Sequence, residues 1–432
     1  MLSFKSVLSR VVLLTGVFSA TLWAQTPVVT WQDLASKTLA NHPDSQLWAA
    51  QTAGAQAQQA NAAAKNQPQV KLQSELSYAW MQQNNFARTA NQVLATYPLY
   101  APNLSAEQTV TDWQAQAQQA QVLAEQQTLL LSLAKAVVAQ RILAAQFQYL
   151  TQEREAIRES LAQVEQRFQV GYQDLNDVVE MQAQADNNQA AWLAVQQQQA
   201  QALADLEALL GEPISADALA QLNSLPIQPD AYPPAQWPTL LGSHPQVQVL
   251  QALWQAKSHE QTQLKTQDGP QVNAFGAYVY NDSQQHFYDD MQGVRGGVLL
   301  TLPLYLGGAT DAKIAGARAQ AQGLLAQKQA KQLELNTTAQ KAWLALQAGQ
   351  ARLQALQAAL VSNQQAVKAA EEGLKTGSRS VLEVLSAQSR LYAAQRALPT
   401  LQAQIQLDQL TMLWALGRLD VNNLAHPETD KK

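Results

Sequence analysis

Gly377-Ser-Arg-Ser-Val-Leu-Glu-Val-Leu-Ser-Ala-Gln388 sits between two long stretches of helical character. A near-copy, Gly171-Tyr-Gln-Asp-Leu-Asn-Asp-Val-Val-Glu-Met-Gln182, lies 206 residues earlier. Gly171 aligns with Gly377, Asp177 with Glu383, Val178 with Val384 and Gln182 with Gln388. In each copy a Gly follows an apolar heptad run, as a helix C-terminal cap with positive φ requires. Asp174 or Ser380 then supplies an N-cap oxygen, with an acidic residue (Asp177, Glu383) three positions on. Each copy is predicted to be the tip of a helical hairpin, and the chain is predicted to be two versions of the frame that carries it.

Working outward from the first tip, nothing breaks a helix between about residues 103 and 168. At 1.5 Å per residue that is roughly 100 Å. Ile157, Leu161, Val164 and Phe168 recur at the 4-3-4 spacing of a coiled-coil seam. A second helix runs from Asp174 to Leu210 and closes at Gly211-Glu-Pro213. Upstream, Trp31 to about Asn66 is helical, broken at Asn41-His42-Pro43, where Pro suits a new first turn. Next comes a period-two stretch. Val70, Leu72, Leu76, Tyr78 and Trp80 fall on one face, and Lys71, Gln73, Glu75 and Ser77 on the other. It fits a tilted transmembrane strand with aromatic residues at one interface, and equally a half-buried strand of a soluble sheet. A polar loop leads to a return strand ending at Tyr100.

The programme then repeats. Residues 212–237 are rich in Pro and read as a linker. Ser243-His-Pro245 answers Asn41-His-Pro43, Gly269-Pro-Gln-Val272 answers Gln67-Pro-Gln-Val70, and Thr301-Leu-Pro-Leu-Tyr305 answers Thr96-Tyr-Pro-Leu-Tyr100. A helix from about Ala309 to Leu374 matches the first long one, and Leu416-Gly417 closes the last helix as Leu210-Gly211 closes the earlier one. Landmarks in one order at a nearly constant offset establish a duplication. The expected organisation is a first repeat over 25–211, with a β-hairpin at about 69–100 and a tip at about 168–178. The 212–237 linker follows. The second repeat covers 238–418, with a β-hairpin at about 271–305 and a tip at about 374–386, and 419–432 forms a tail.

Composition narrows the function. The chain is 47% hydrophobic but only 14% charged, with Ala and Gln as filler, which suits long helices packed through small side chains. A formal charge of −5 without a basic stripe speaks against nucleic acid as a partner. The absence of Cys excludes disulfides, thiolate metal sites and Cys nucleophiles. Residues 1–24 read as a secretory signal: Lys5 and Arg10, then apolar Val11 to Leu22, then Ala24 before cleavage. The apolar run is too short for a membrane anchor, and no later stretch reads as a transmembrane helix, so a membrane role requires β-strands.

Four strands leave two open edges, which lipid does not tolerate. Several chains side by side would close them, and the long helices would continue away from the membrane as a hollow tube with the tips at its far end. At this point the sequence resembles the TolC-type outer-membrane efflux channel family. The resemblance rests on Arg167-Phe-Gln-Val-Gly171 with Asp177-Val-Val, on Gly377-Ser-Arg379 with Glu383-Val-Leu-Ser-Ala-Gln388, and on Pro303-Leu-Tyr-Leu-Gly-Gly308. It implies a mainly α fold with a β-barrel portion: a homotrimer with one twelve-stranded barrel, continued by an α-helical coiled-coil tunnel through the periplasm. It implies a location in the outer membrane of a Gram-negative bacterium, in contact with lipid. It also implies a periplasmic adaptor and an inner-membrane pump, of the RND or ABC type, as partners for efflux or type I secretion.

The resemblance further implies a gate in which Arg379 is the basic and Asp177 the acidic partner of links between neighbouring hairpins. Leu374 stands where relatives often carry Tyr, so one hydrogen bond is expected to be missing. Glu383 is expected to form a single acidic ring, because Ser386 stands where a second acid would be; three carboxylates in a narrow pore would favour cations. Asp177 and Glu383 also fit ordinary first-turn acids that complement the helix dipole. Arg167, Phe168, Val170, Gly171, Gly377 and Ser378 are the expected adaptor contacts.

No phosphate loop, nucleophile elbow or zinc-protease motif is present, so neither an enzyme nor a cofactor is expected. His42 and His244, repeat equivalents beside Pro, read as structural. His286, Asp289, Asp290 and Met291 share a loop read as solvated rather than metal-binding. Gly293-Val-Arg-Gly-Gly297 reads as strand flexibility. The competing reading is a periplasmic coiled-coil adaptor without a transmembrane barrel.

Overall fold

The computed structural model describes residues 30–80, 85–215, 218–219, 222, 232–283, 291–305 and 307–421. The expected signal segment, much of the Pro-rich stretch, the loop carrying His286, Asp289 and Asp290, and the tail beyond Val421 lie outside the described residues.

Helices α1 (Trp31–Asn41) and α2 (Asp44–Ala64) lead into strands β1 (Gln69–Trp80) and β2 (Asn85–Tyr100). Helices α3 (Pro102–Gln169) and α4 (Leu175–Leu210) follow. The second half runs α5 (Trp237–Gly242), α6 (Pro245–Gln267), β3 (Gln271–Ser283), β4 (Met291–Thr301), α7 (Ala309–Lys375) and α8 (Val381–Ala415). The His-Pro breaks do the same work in both halves. His42 Nδ1 accepts the N–H of Asp44 at 3.2 Å, and His244 Nδ1 accepts that of Gln246 at 3.1 Å, so each imidazole satisfies a first-turn donor. Pro102 starts α3 where its missing N–H costs nothing. Gly211 and Gly417 end α4 and α8 at φ 69° and 70°.

The four strands form one antiparallel sheet in the order β1-β2-β3-β4. The central β2–β3 pair joins the two halves of the chain, and β1 and β4 are open edges. β4 stops at Thr301, short of the expected Tyr305. β3 begins at Gln271, opposite Thr301, so nothing remains to pair with the Pro303 segment. β2 does pass its own proline: the ladder shifts between Pro98 and Tyr100 and resumes at Val272. Register puts Val70, Leu72, Leu76, Tyr78 and Trp80 on the same face as Val294, Val298 and Leu300. That face is bare: Leu76 is 79% exposed, Trp80 77% and Val294 83%.

The helices are buried in two belts near the middle of the long pair. One joins Trp31 and Leu34 to Leu130, Leu133, Val137, Leu206, Leu210 and Leu410. The other joins Trp237 and Leu240 to Leu335, Leu346, Ile405 and Met412. Trp31 and Trp237 are 206 residues apart and seed equivalent belts. Elsewhere buried Ala (115, 117, 124, 317, 321) lets helices approach closely. α3 pairs with α4 and α7 with α8, while α6 lies between α3 and α7. α2, the counterpart of α6, packs closely among the long helices only on α3.

One expectation needs correction. α3 does contain an 18-residue window apolar enough by composition to cross a bilayer. α3 also supplies Leu130, Leu131, Leu133, Ala134 and Val137 to the first belt, so its strongly apolar part is explained by packing against α1, α4 and α8.

Candidate functional site at the hairpin tips

Both tips are closed by the same backbone device. In the first, Tyr172 N–H donates to the Arg167 carbonyl at 2.8 Å and Gly171 N–H to that of Phe168 at 3.0 Å, with Gly171 at φ 77°. In the second, Ser378 N–H donates to the Gly373 carbonyl at 2.8 Å and Gly377 N–H to that of Leu374 at 3.2 Å, with Gly377 at φ 72°. These are Schellman turns, whose left-handed position suits Gly. The next helices start on side-chain caps. Asp174 Oδ1 accepts Leu175 N–H at 3.0 Å. Ser380 Oγ accepts Glu383 N–H at 3.3 Å while Glu383 Oε2 accepts Ser380 N–H at 2.9 Å. Each such cap contributes about 1 kcal/mol.

The two tips are pinned to each other by packing. Ile157, Val164 and Met181 of the first hairpin meet Val381 and Leu385 of the second. Leu374 packs against this cluster and also against Val367, Ala370, Val384 and Ala387. The position expected only to lack a hydrogen bond is thus an apolar contact shared by both clusters. Periodicity places Leu374 on an apolar seam but does not say which neighbour fills it.

The residues expected at the gate have other neighbours within the chain. Asp177 accepts a hydrogen bond from the Gln173 side chain. Gln173 and Arg379 are repeat equivalents, yet Arg379 turns elsewhere: a Cβ at Gly373 would lie 2.8 Å from Arg379 Cγ, so its stem rests on that glycine. Arg379 N–H also donates to the Gly373 carbonyl at 3.1 Å. Among the described residues no ion pair or hydrogen bond joins Arg379 to Asp177 within the chain. Glu383 is engaged in its capping box, and Ser386 Oγ accepts from Arg390 Nη1 at 3.0 Å.

Arg167, Phe168, Val170, Gly171, Gly377 and Ser378 are all exposed. The first tip also bares Tyr172, 84% exposed, together with Leu175 and Val179. These three were missed. The signal available was the i, i+4 spacing of Leu175 and Val179 on a helix whose other face is needed for packing. Further along α3, Glu153 forms an ion pair with Arg396 of α8, and Trp192 donates to Thr151 Oγ1 at 3.0 Å beneath the Arg154 guanidinium. Among the described residues no group of three or more His, Asp or Glu side chains is set to hold a metal ion.

Comparison with known proteins adds four findings. The family model described as outer membrane efflux protein matches residues 34–212 and 238–418. The chain is 28% identical over 314 residues to outer membrane protein TolC of Salmonella enteritidis, covering 69% of this chain and 63% of that protein. It is 24% identical over 341 residues to the alkaline protease secretion protein AprF of Pseudomonas aeruginosa, covering 74% of this chain and 69% of the relative. Its fold is similar to that of VceC, an outer membrane protein of Vibrio cholerae, with a TM-score of 0.78 at 20% identity, covering 90% of this chain and 96% of that one.

Proposed function

This chain belongs to the outer membrane efflux protein family, and from that premise we propose that it is one third of a passive exit duct through the outer membrane of a Gram-negative bacterium. In this reading residues 25–211 and 238–418 are two structural repeats joined by 212–237. Three chains complete a twelve-stranded barrel, and the long helices continue it as a periplasmic tunnel. The duct serves efflux or type I secretion. An inner-membrane pump supplies energy, a periplasmic adaptor grips the tips, and the chain itself catalyses no reaction.

The observation that carries this reading is a matched pair of open edges. Reading across the sheet the order is β1-β2-β3-β4, and reading across the helices it is α2-α3-α6-α7. α6 has a helix on both sides, and its repeat equivalent α2 lacks the neighbour that α3 gives α6. The α7 of an adjacent chain fits that place, just as the β4 of that chain fits beside β1. Such head-to-tail contacts make a ring when the rotation closes. Closure also removes the unpaired strand edges that lipid would penalise. The bare apolar outer face supports a bilayer as its neighbour, and strands of 11 to 16 residues are long enough to span one at a tilt. A soluble adaptor would leave that face in water.

The role of the tips follows from the ring. Arg379 has no carboxylate partner within its own chain among the described residues, which leaves its charge available to Asp177 of a neighbour. Purification from outer membranes in detergent, with the protein mass measured by light scattering, tests the assembly. Three chains and heat-modifiable migration are expected; a monomer soluble without detergent overturns the proposal.

A further inference from the structure

The inner face of the sheet is unlike the outer one. Register places Lys71, Gln73, Glu75 and Ser77 of β1 on this face with Arg88, Gln92 and Leu94 of β2. Asn273, Phe275, Ala277 and Val279 of β3 and Arg295 of β4 share it. Its charges among the described residues are three cations, Lys71, Arg88 and Arg295, against one carboxylate, Glu75. Among the described residues the outer face carries only Asp282.

Arg295 is built in rather than dangling. Its own strand has Gly293 and Gly297 as same-face neighbours, and Ala277 stands opposite. That gap lets the guanidinium cross the whole of β3, and Arg295 Nη2 donates to Gln92 Oε1 at 3.2 Å. Gln92 donates in turn to the Gln73 side chain on β1. The polar chain runs across all four strands, and Ala277 and Val279 lie buried beneath it. The Gly-Val-Arg-Gly-Gly stretch, read from sequence as flexibility, is thus a seat for a cation. Lys71, Leu94, Ala277 and Arg295 form one row across the sheet. In a closed ring the Arg295 end of one chain comes beside the Lys71 end of the next. Lys71, Arg88 and Arg295 form no ion pair among the described residues, so their charge is not neutralised within the chain.

We propose that Lys71, Arg88 and Arg295 form a basic band inside the barrel that binds anionic groups on molecules leaving the duct. This inference rests on the barrel reading. Three chains repeat the band around one lumen, and low-dielectric walls concentrate its field. Anionic cargo that passes the tips is therefore drawn into the barrel.

The test is calorimetric titration of the detergent-purified trimer with inorganic tripolyphosphate, a probe with several close anionic oxygens. Wild type binds, and binding weakens as salt is raised. Lys71→Gln/Arg88→Gln/Arg295→Gln weakens it at least tenfold. Arg88→Gln alone, which leaves the Arg295–Gln92–Gln73 chain intact, weakens it about threefold and serves if the triple variant does not fold. Lys375→Gln, on the exposed second tip, leaves it unchanged. Absent binding, equal binding in the band variants, or an equal loss in Lys375→Gln overturns the band. The measurement needs no bilayer, so its failure is separate from that of the duct, which would show as a trimer that binds tripolyphosphate yet conducts no ions.

Discussion

His244 Nε2 lies 3.1 Å from the main-chain oxygen of Trp414, while its Nδ1 accepts the N–H of Gln246 at 3.1 Å. One nitrogen donates and the other accepts, so the imidazole ties the start of α6 to the end of α8 only while it is neutral. Burial pushes its pKa down to about 4; the Trp414 carbonyl opposes this and Lys331 adds to it. An unfolded His titrates near 6.5. The stabilisation is therefore full above about pH 6.5 and is lost as pH falls through about 4. Melting at pH 7.5 and 4.5 is expected to differ by up to about 3 kcal/mol per chain from this group. His244→Asn keeps a cap acceptor and is expected to flatten that part of the profile; an unchanged profile refutes the assignment.

Gly349 on α7 meets Ile405 on α8 without room for a methyl, since a Cβ there would lie 2.8 Å from Ile405 Cγ1. Ile405 is fully buried. Gly349→Ala is expected to destabilise by roughly 1–3 kcal/mol through overpacking, despite its gain in helix propensity. Adding Ile405→Val should restore about half. Urea midpoints of the two variants decide the matter.

The Glu153–Arg396 pair joins α3 to α8 with its carboxylate buried and its guanidinium partly exposed. Arg396→Met alone strands Glu153 and is expected to cost about 3 kcal/mol. Arg396→Met/Glu153→Met should cost less than the single change. A double-mutant cycle with no coupling would show the pair to be incidental.

At the tips, Arg379→Glu is expected to raise single-channel conductance in planar bilayers by removing the cation from the proposed link to Asp177 of a neighbouring chain. Gly373→Ala is expected to act in the same direction but more weakly, because its methyl displaces the Arg379 stem without changing charge. No rise in either variant counts against the gate.

Photo-crosslinkers at Phe168, Val170 and Tyr172 are expected to capture the adaptor. The same group at Val294 on the outer sheet face should not. Capture from Val294 alone would move the docking site to the other end of the molecule.

Much was legible before any tertiary contact was known. Helix or strand followed from a period of 3.6 or 2, and the tips followed from Gly at the left-handed position with an oxygen cap after it, because caps are short-range chemistry. The duplication needed only the chain's own order. Periodicity also told which face of β1 is apolar. Partner choice was not available from the same signals. A period names a face but not what covers it, so the pairing of β2 with β3 across the halves, the placing of α6 between α3 and α7, and the contact of Leu374 with both tip clusters came only from the fold. The reach of Arg295 to Gln92 belongs to the same class, since it depends on which strand lies between them and on that strand offering only Ala277. Local preference settles the elements because its causes lie within a few bonds; their neighbours are settled by burial and pairing between residues hundreds of positions apart.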